Sequence, residues 1–270
     1  MIKGAFDFHT HAFTDTLAER AVGELAATSG ITPSTDGTVS GLRKMMADRE
    51  LSGAMILPIA TKPSQQKTIN NWAAEIMGGG IYCCGTVHPD AEDKLEELER
   101  ISSLGLCGIK FHSEYQFFRP DEERMIPVYR KAGELGLFVV FHAGWDPYSS
   151  GEVLADPRSL ANVAERCPDT VFVAAHMGGI HMAERVGTEL AGRFGNLYFD
   201  TAVIADYLSD EQFLCLLEKQ GAERILFGSD IPWDDPAREL AMIERAPISD
   251  TDRELITNGN ARRLLSRLRR

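Results

Sequence analysis

Eight short apolar runs, β-branched or aromatic and bounded by Gly or Pro, alternate along this chain with stretches whose apolar residues recur at i, i+3 and i+4. The runs lie near Ala5–His9, Gly53–Pro58, Ile81–Val87, Gly108–His112, Leu137–His142, Val171–His176, Leu197–Asp200 and Ile225–Asp230. Between them the spacing predicts helices near Val39–Leu51, Ser64–Gly78, Glu92–Leu104, Glu122–Leu135, Pro157–Arg166, Ile180–Arg193, Asp210–Gln220 and Pro236–Arg245. Some carry start and stop signals, such as Asp121 before one helix and Gly136 after it. A strand–helix repeat builds a parallel sheet covered on both faces, so its strands read as continuous apolar segments. About eight such units predict an α/β fold, a (β/α)8 barrel forming a single domain over residues 1–270, because such barrels take roughly 250 residues. No internal repeat, low-complexity tract or linker divides the chain.

One segment breaks the rhythm. Residues 12–38 are too many for an ordinary strand-to-helix loop. They predict a helical insertion after strand one, Asp15–Thr28, followed by a loop from Ser29 to Ser34 lying over the barrel mouth.

Charge and cysteine content narrow the partners. Lys and Arg number 28 against 40 for Asp and Glu, a net charge of −12, and such a surface repels phosphate backbones and anionic lipid. The one basic cluster, Arg262, Arg263, Arg267, Arg269 and Arg270, falls in the last predicted helix and its tail, where cations complement the helix dipole. No apolar run approaches the ~20 residues that span a bilayer, and Met1-Ile2-Lys3 leads into a strand without a signal-peptide pattern. Five cysteines without a C-X-X-C knuckle fit buried, inert thiols in a reducing compartment. The expectation is a cytoplasmic protein acting on a small molecule, without nucleic acid or membrane partners, and with a homodimer as the default assembly.

The chemically capable residues close the apolar runs. His9 and His11 end the first, His142 the fifth, His176 the sixth and Asp230 the eighth. A lone His-X-His on a strand says little, since alternate residues of any strand share a face. Recurrence at one end of several strands says more, because the active site of a barrel forms at the C-terminal rim of its strands. Imidazole together with carboxylate suits Zn2+, or Mn2+ and Fe2+ less specifically.

The ordered set His9-Thr10-His11, His142, His176 and Phe227-Gly228-Ser229-Asp230-Ile231-Pro232 resembles the amidohydrolase superfamily. Gly108-Ile109-Lys110-Phe111-His112 and the Gly-Ser-Asp-Ile-Pro stretch resemble its amidohydrolase-2 branch, which includes aminocarboxymuconate-semialdehyde decarboxylase-like enzymes. The resemblance implies that His9, His11, His142 and Asp230 hold one divalent metal, with His176 beside the bound water as a polarising or proton-transferring group and Asp230 accepting the water's proton. In binuclear members of the superfamily a strand-four lysine is carboxylated by CO2 and bridges two metals. Lys110 would then do so, recruiting His142 and His176 to the second ion; the branch resemblance favours one metal. An unmodified Lys110 beside one cation would instead be pushed towards neutrality or would bind a substrate carboxylate.

Lys110 and His112 share strand parity and are expected to face the mouth, with His112 as a substrate contact or a packed histidine. Phe13, Phe111, Tyr115, Trp145 and Trp233 flank strand ends and offer an aromatic pocket wall, of which Tyr115, Trp145 and Trp233 are the substrate-binding candidates. Arg119 is a candidate carboxylate clamp or a solvated loop arginine. His88 reads as a loop-structuring residue and His181 as a surface one. The leading function is hydrolysis of a small carbonyl substrate, an amide, lactone or cyclic ester, by metal-activated water. Nonoxidative decarboxylation of an unsaturated or aromatic acid is the alternative. A TatD-type phosphodiesterase fits less well, because such enzymes place a metal-binding glutamate where this chain has Lys110 and His112. A closed, non-catalytic metal site fits poorly with so many candidate ligands beside an aromatic cleft.

Overall fold

The structure is a computed structural model that describes residues 2–149 and 151–267. Eight parallel strands run β1 (Phe6–Thr10), β2 (Gly53–Ile56), β3 (Ile81–Cys83), β4 (Gly108–Phe111), β5 (Phe138–Phe141), β6 (Phe172–Ala174), β7 (Leu197–Asp200) and β8 (Ile225–Leu226). The helices are α1 (Asp15–Ser29), α2 (Val39–Asp48), α3 (Gln66–Ile76), α4 (Lys94–Ser103), α5 (Ser113–Gln116), α6 (Ile126–Glu134) and α7 (Pro157–Arg166) in the first part. They continue as α8 (Ala183–Glu189), α9 (Ile204–Tyr207), α10 (Asp210–Gln220), α11 (Pro236–Arg245), α12 (Asp250–Glu254) and α13 (Asn260–Arg267). Each strand pairs with its neighbour in chain order, in two runs, β1-β2-β3 and β4-β5-β6-β7-β8.

Backbone hydrogen bonds close the two seams between these runs. At one, Gly85 N donates to Gly108 O at 2.8 Å and Lys110 N to Gly85 O at 3.0 Å. At the other, Phe8 N donates to Phe227 O and Asp230 N to His9 O, both at 2.8 Å. The result is the expected TIM barrel. Its interior is a separate apolar cluster that includes Phe6, Phe8, Met55, Leu57, Cys84, Phe138, Val140 and Val173, while the opposite strand faces pack under the helices. Ala261 and Leu264 of α13 join the interior cluster, so this helix plugs one end. The same helix carries Arg262 and Arg263; Arg269 and Arg270 of the basic cluster, like Met1, lie outside the described residues.

Helix starts follow local chemistry. Asp156 accepts from Ser159 N ahead of Pro157 at the head of α7, and Ser209 and Gln212 form a capping box at the head of α10. Asp121 is not such a cap: a 3-10 turn, Glu123–Met125, precedes α6, and Asp121 accepts from Asn162 instead. The insertion after β1 does form a helix, and its following loop is pinned across the mouth. There Ser34 N donates to Pro232 O at 2.7 Å and Ser34 Oγ to Asp234 O at 2.8 Å. No helix among the described residues is long and apolar enough to cross a membrane.

Candidate metal centre

A register shift between Asp7 and Thr10 interrupts the β1–β2 pairing where the strand reaches the rim. Phe6 and Phe8 point into the barrel core, and past the shift His9 turns its ring to the mouth, as a bulge re-aims side chains. Asp7 fastens this junction. Its carboxylate accepts from Ser229 N at 3.0 Å, from His9 N at 3.2 Å and from the Ser229 hydroxyl, tying β1 to the segment that carries Asp230. Burial pushes the Asp7 carboxyl up to about 7 against these hydrogen bonds, which lower it. Asp230 itself follows β8 with φ +73, an unusual backbone for a non-glycine residue and one that recurs at functional sites.

Three donor atoms meet here. Asp230 Oδ1 lies 3.2 Å from His9 Nε2 and 3.0 Å from His11 Nε2, yet it is buried and makes no hydrogen bond. Ligands around a tetrahedral ion at about 2.1 Å stand roughly 3.4 Å apart, so this spacing and the orphaned oxygen fit a divalent cation. The far ring nitrogens are occupied. His9 Nδ1 donates to Asp200 Oδ2 at 2.9 Å and His11 Nδ1 to Leu57 O at 3.0 Å, which fixes the tautomer that leaves each Nε2 lone pair inward. Burial, then the Lys110 charge, holds His9 well below its usual range, so it is a neutral ligand. Burial would raise Asp230, but His9, then His11, bring its carboxyl down to about 2, where it is an anion at any working pH.

A second pair faces the first. His176 Nε2 stands 3.1 Å from His142 Nδ1, while His176 Nδ1 donates to Ala202 O at 3.0 Å. The ring of His176 is 5.1 Å from that of His9, so both pairs share one chamber. Lys110 is buried between them, its Nζ 3.3 Å from His9 Nε2. Burial pushes its amine down to about 8, opposed by Asp200 and Asp230. His142 does not join the donor group of His9, His11 and Asp230; its close donors are His112 and Asp146, with His176 on its other edge.

His112 is sandwiched between His142, at 4.1 Å, and Tyr115, at 3.6 Å. Its Nε2 is 3.4 Å from Asp146 Oδ2, and its Nδ1 is buried without a hydrogen bond. Tyr115 therefore packs on the face of His112 opposite His142. Trp145 packs on His181 at 5.4 Å, and Trp233 lines a cavity beside the centre. Arg119 is engaged elsewhere, by Glu152, Asp121 and Asp156, and Phe111 is core. His88 is a buried loop residue whose Nδ1 accepts from Asp90 N. His181 is exposed, in keeping with the surface reading, and Tyr207 packs on its ring at 4.9 Å. Sequence reasoning missed Asp200, Asp7, Asp146 and Tyr207. Asp200 closes its own apolar run, as the histidines do.

The model of the amidohydrolase family matches residues 6–267. The chain belongs to that family. It is therefore an enzyme of the amidohydrolase superfamily, a metal-dependent group, in the branch its motifs resemble. No curated protein matches the chain at the sequence level. Among solved structures this amidohydrolase is similar to an uncharacterised TIM-barrel protein from Bordetella bronchiseptica, with TM-score 0.77, 18% identity, 98% of this chain and 99% of that one. It is similar to a dihydroxybenzoic acid decarboxylase from Polaromonas with bound manganese and the inhibitor 2-nitroresorcinol, with TM-score 0.72, 16% identity, 100% of this chain and 98% of that one. A candidate 2-pyrone-4,6-dicarboxylic acid hydrolase from Pseudomonas putida aligns with TM-score 0.67, 16% identity and 99% of both chains. At these identities the likeness concerns the fold.

Proposed function

We propose that this amidohydrolase is a hydrolase of small carbonyl compounds, amides, lactones or cyclic esters, that holds two divalent cations. The observation that carries the reading is the edge-on meeting of His142 Nδ1 and His176 Nε2 at 3.1 Å, opposite the His9, His11 and Asp230 group and across Lys110. His142 lies outside the His9, His11 and Asp230 donor group, so a second cation would take His142 and His176 as its holders. Carboxylation of Lys110 would supply a further anionic ligand to these pairs: the neutral amine would bond to the carbon of CO2 and release one proton to solvent, giving a carbamate. Zn2+ suits the imidazole-rich set, with Mn2+ and Fe2+ as substitutes.

Bound cations would polarise the carbonyl and lower the pKa of water. The protein's own groups do the rest. Asp230 meets His9 and His11 through Oδ1, which leaves its other carboxylate oxygen to accept the proton lost by the attacking water. Asp200 holds the His9 ring in place, and Ala202 O that of His176. The Tyr115 hydroxyl would donate to the substrate's oxygen, with His112 stacked on its ring. Lys110, once carboxylated, no longer offers a cation to a substrate carboxylate.

Decarboxylation of an aromatic or unsaturated acid is the second reading, favoured by the fold shared with dihydroxybenzoate decarboxylases. Substrate panels assayed in parallel for ring opening or amide cleavage and for CO2 release separate the two. Release of CO2 from an aromatic acid with no hydrolytic turnover overturns the first. The same reading treats residues 1–270 as one catalytic domain, cytoplasmic and dimeric.

A further inference from the structure

Beside the metal centre, between the insertion after β1 and the segments after β7 and β8, lies a cavity of about 300 Å³. Ser34, Tyr207, Trp233, Asp206, Asp234 and Arg238 line it. Its aromatic lining is Tyr207 and Trp233, with further rings packed behind Tyr207. Tyr207 of α9 meets His181 edge-on at 4.9 Å, and His181 packs on Trp145 at 5.4 Å. Two backbone bonds lock the loops behind these rings, Trp145 N to Ile180 O and Ile180 N to Ala143 O, each 3.1 Å. Tyr207 lines the cavity together with Asp206, and burial, then the Asp206 charge, raises its phenol.

The charges do not balance. Arg238 Nη1 donates to both oxygens of Asp234, at 3.0 and 3.1 Å, and to Asp206 at 2.9 Å, so one guanidinium serves two carboxylates. Asp235 is taken by Arg49. The lining therefore keeps one carboxylate charge in excess beside two aromatic residues, and its one basic side chain is already shared between two acids. Such a setting attracts a cation through the aromatic rings and through the excess carboxylate charge, the latter screened in part because the Asp206 and Arg238 side chains are about half exposed.

We propose that this cavity receives an ammonium group of the substrate, so that the enzyme selects amine-bearing carbonyl compounds over carboxylates. The inference rests on the hydrolase reading only in taking the bound molecule for a substrate. Its test reads binding alone. Benzylamine, benzyl alcohol and benzoate are titrated against the metal-loaded protein at pH 7.5 (roughly), with tryptophan fluorescence and calorimetry as readouts. Benzylammonium is expected to bind about tenfold tighter than the alcohol, and benzoate more weakly than either. Asp206→Asn leaves Arg238 to neutralise Asp234 alone and should cut the amine preference to about twofold without changing alcohol binding. Trp233→Leu provides a second variant that removes a ring face and keeps the acids. Benzoate binding as tightly as benzylamine, or an amine preference untouched by both variants, overturns the proposal. Amine binding without hydrolysis of any carbonyl compound would sink the hydrolase reading alone, and hydrolysis with a benzoate preference would sink the cavity assignment alone.

Discussion

Asp200 contacts no atom of the candidate ligand point, yet it decides which nitrogen His9 presents there, through the 2.9 Å bond to Nδ1. Removing it in Asp200→Asn should weaken metal affinity about 10- to 100-fold, with activity restored by excess metal. Chelator competition measures this, and unchanged affinity would count against the arrangement. Glu239 makes a separate prediction. Burial, then Asp234, pushes its carboxyl up to about 10 from 4.5. The folded form thus keeps a proton that the unfolded chain releases above about pH 4.5, so this group costs stability as pH rises towards 10, by at most about 1.4 kcal/mol per pH unit. Glu239→Gln should flatten the fall in Tm between roughly pH 6 and 9; parallel slopes for both proteins would refute the assignment. The ligand residues themselves were legible because each closes an apolar run. Their ring orientations were not: spacing tells which residues meet, and hydrogen bonds from other strands decide which ring edge faces inward. Asp200 gave the same positional signal, but a carboxylate at a strand end is equally an ordinary turn residue.

The rim depends on short elements that carry little pattern. The turns α5 and α9, each one helical turn, hold Tyr115 and Tyr207, and four residues are too few to show a helical period. Gly144 illustrates what sets these loops. It has φ +86, and a Cβ there would stand 2.1 Å from Ile180 N, so the β5 and β6 loops touch only because no side chain intervenes. Gly144→Ala should cost about 1–3 kcal/mol of stability and loosen Trp145 from His181. Urea unfolding and the Trp145 emission maximum report the two effects together. A stable variant with unshifted emission would show that the contact does not hold the aromatic wall. By contrast, the long helices and the insertion helix after β1 followed their apolar spacing to within a few residues.

At the scale of the molecule, eight alternating units were enough to indicate the barrel, since few other closed arrangements bury so many continuous apolar strands. The plug was not legible. An amphipathic C-terminal segment shows a buried face but not what it covers, and only the fold places Ala261 and Leu264 against the strand interior. Leu264→Ala should destabilise by about 2–5 kcal/mol, as a core truncation does, and a change under about 1 kcal/mol would mean α13 is not part of the core. With both ends of the cylinder accounted for, the open end is where the chemistry belongs. The most direct test is an anomalous difference map from crystals grown with manganese and bicarbonate. The account predicts two peaks, one touching His9, His11 and Asp230 and the other His142 and His176, with density for a carboxylated Lys110 between them. A single peak ligated by His9, His11, His142 and Asp230 beside an unmodified lysine, or no metal at these residues, would contradict it.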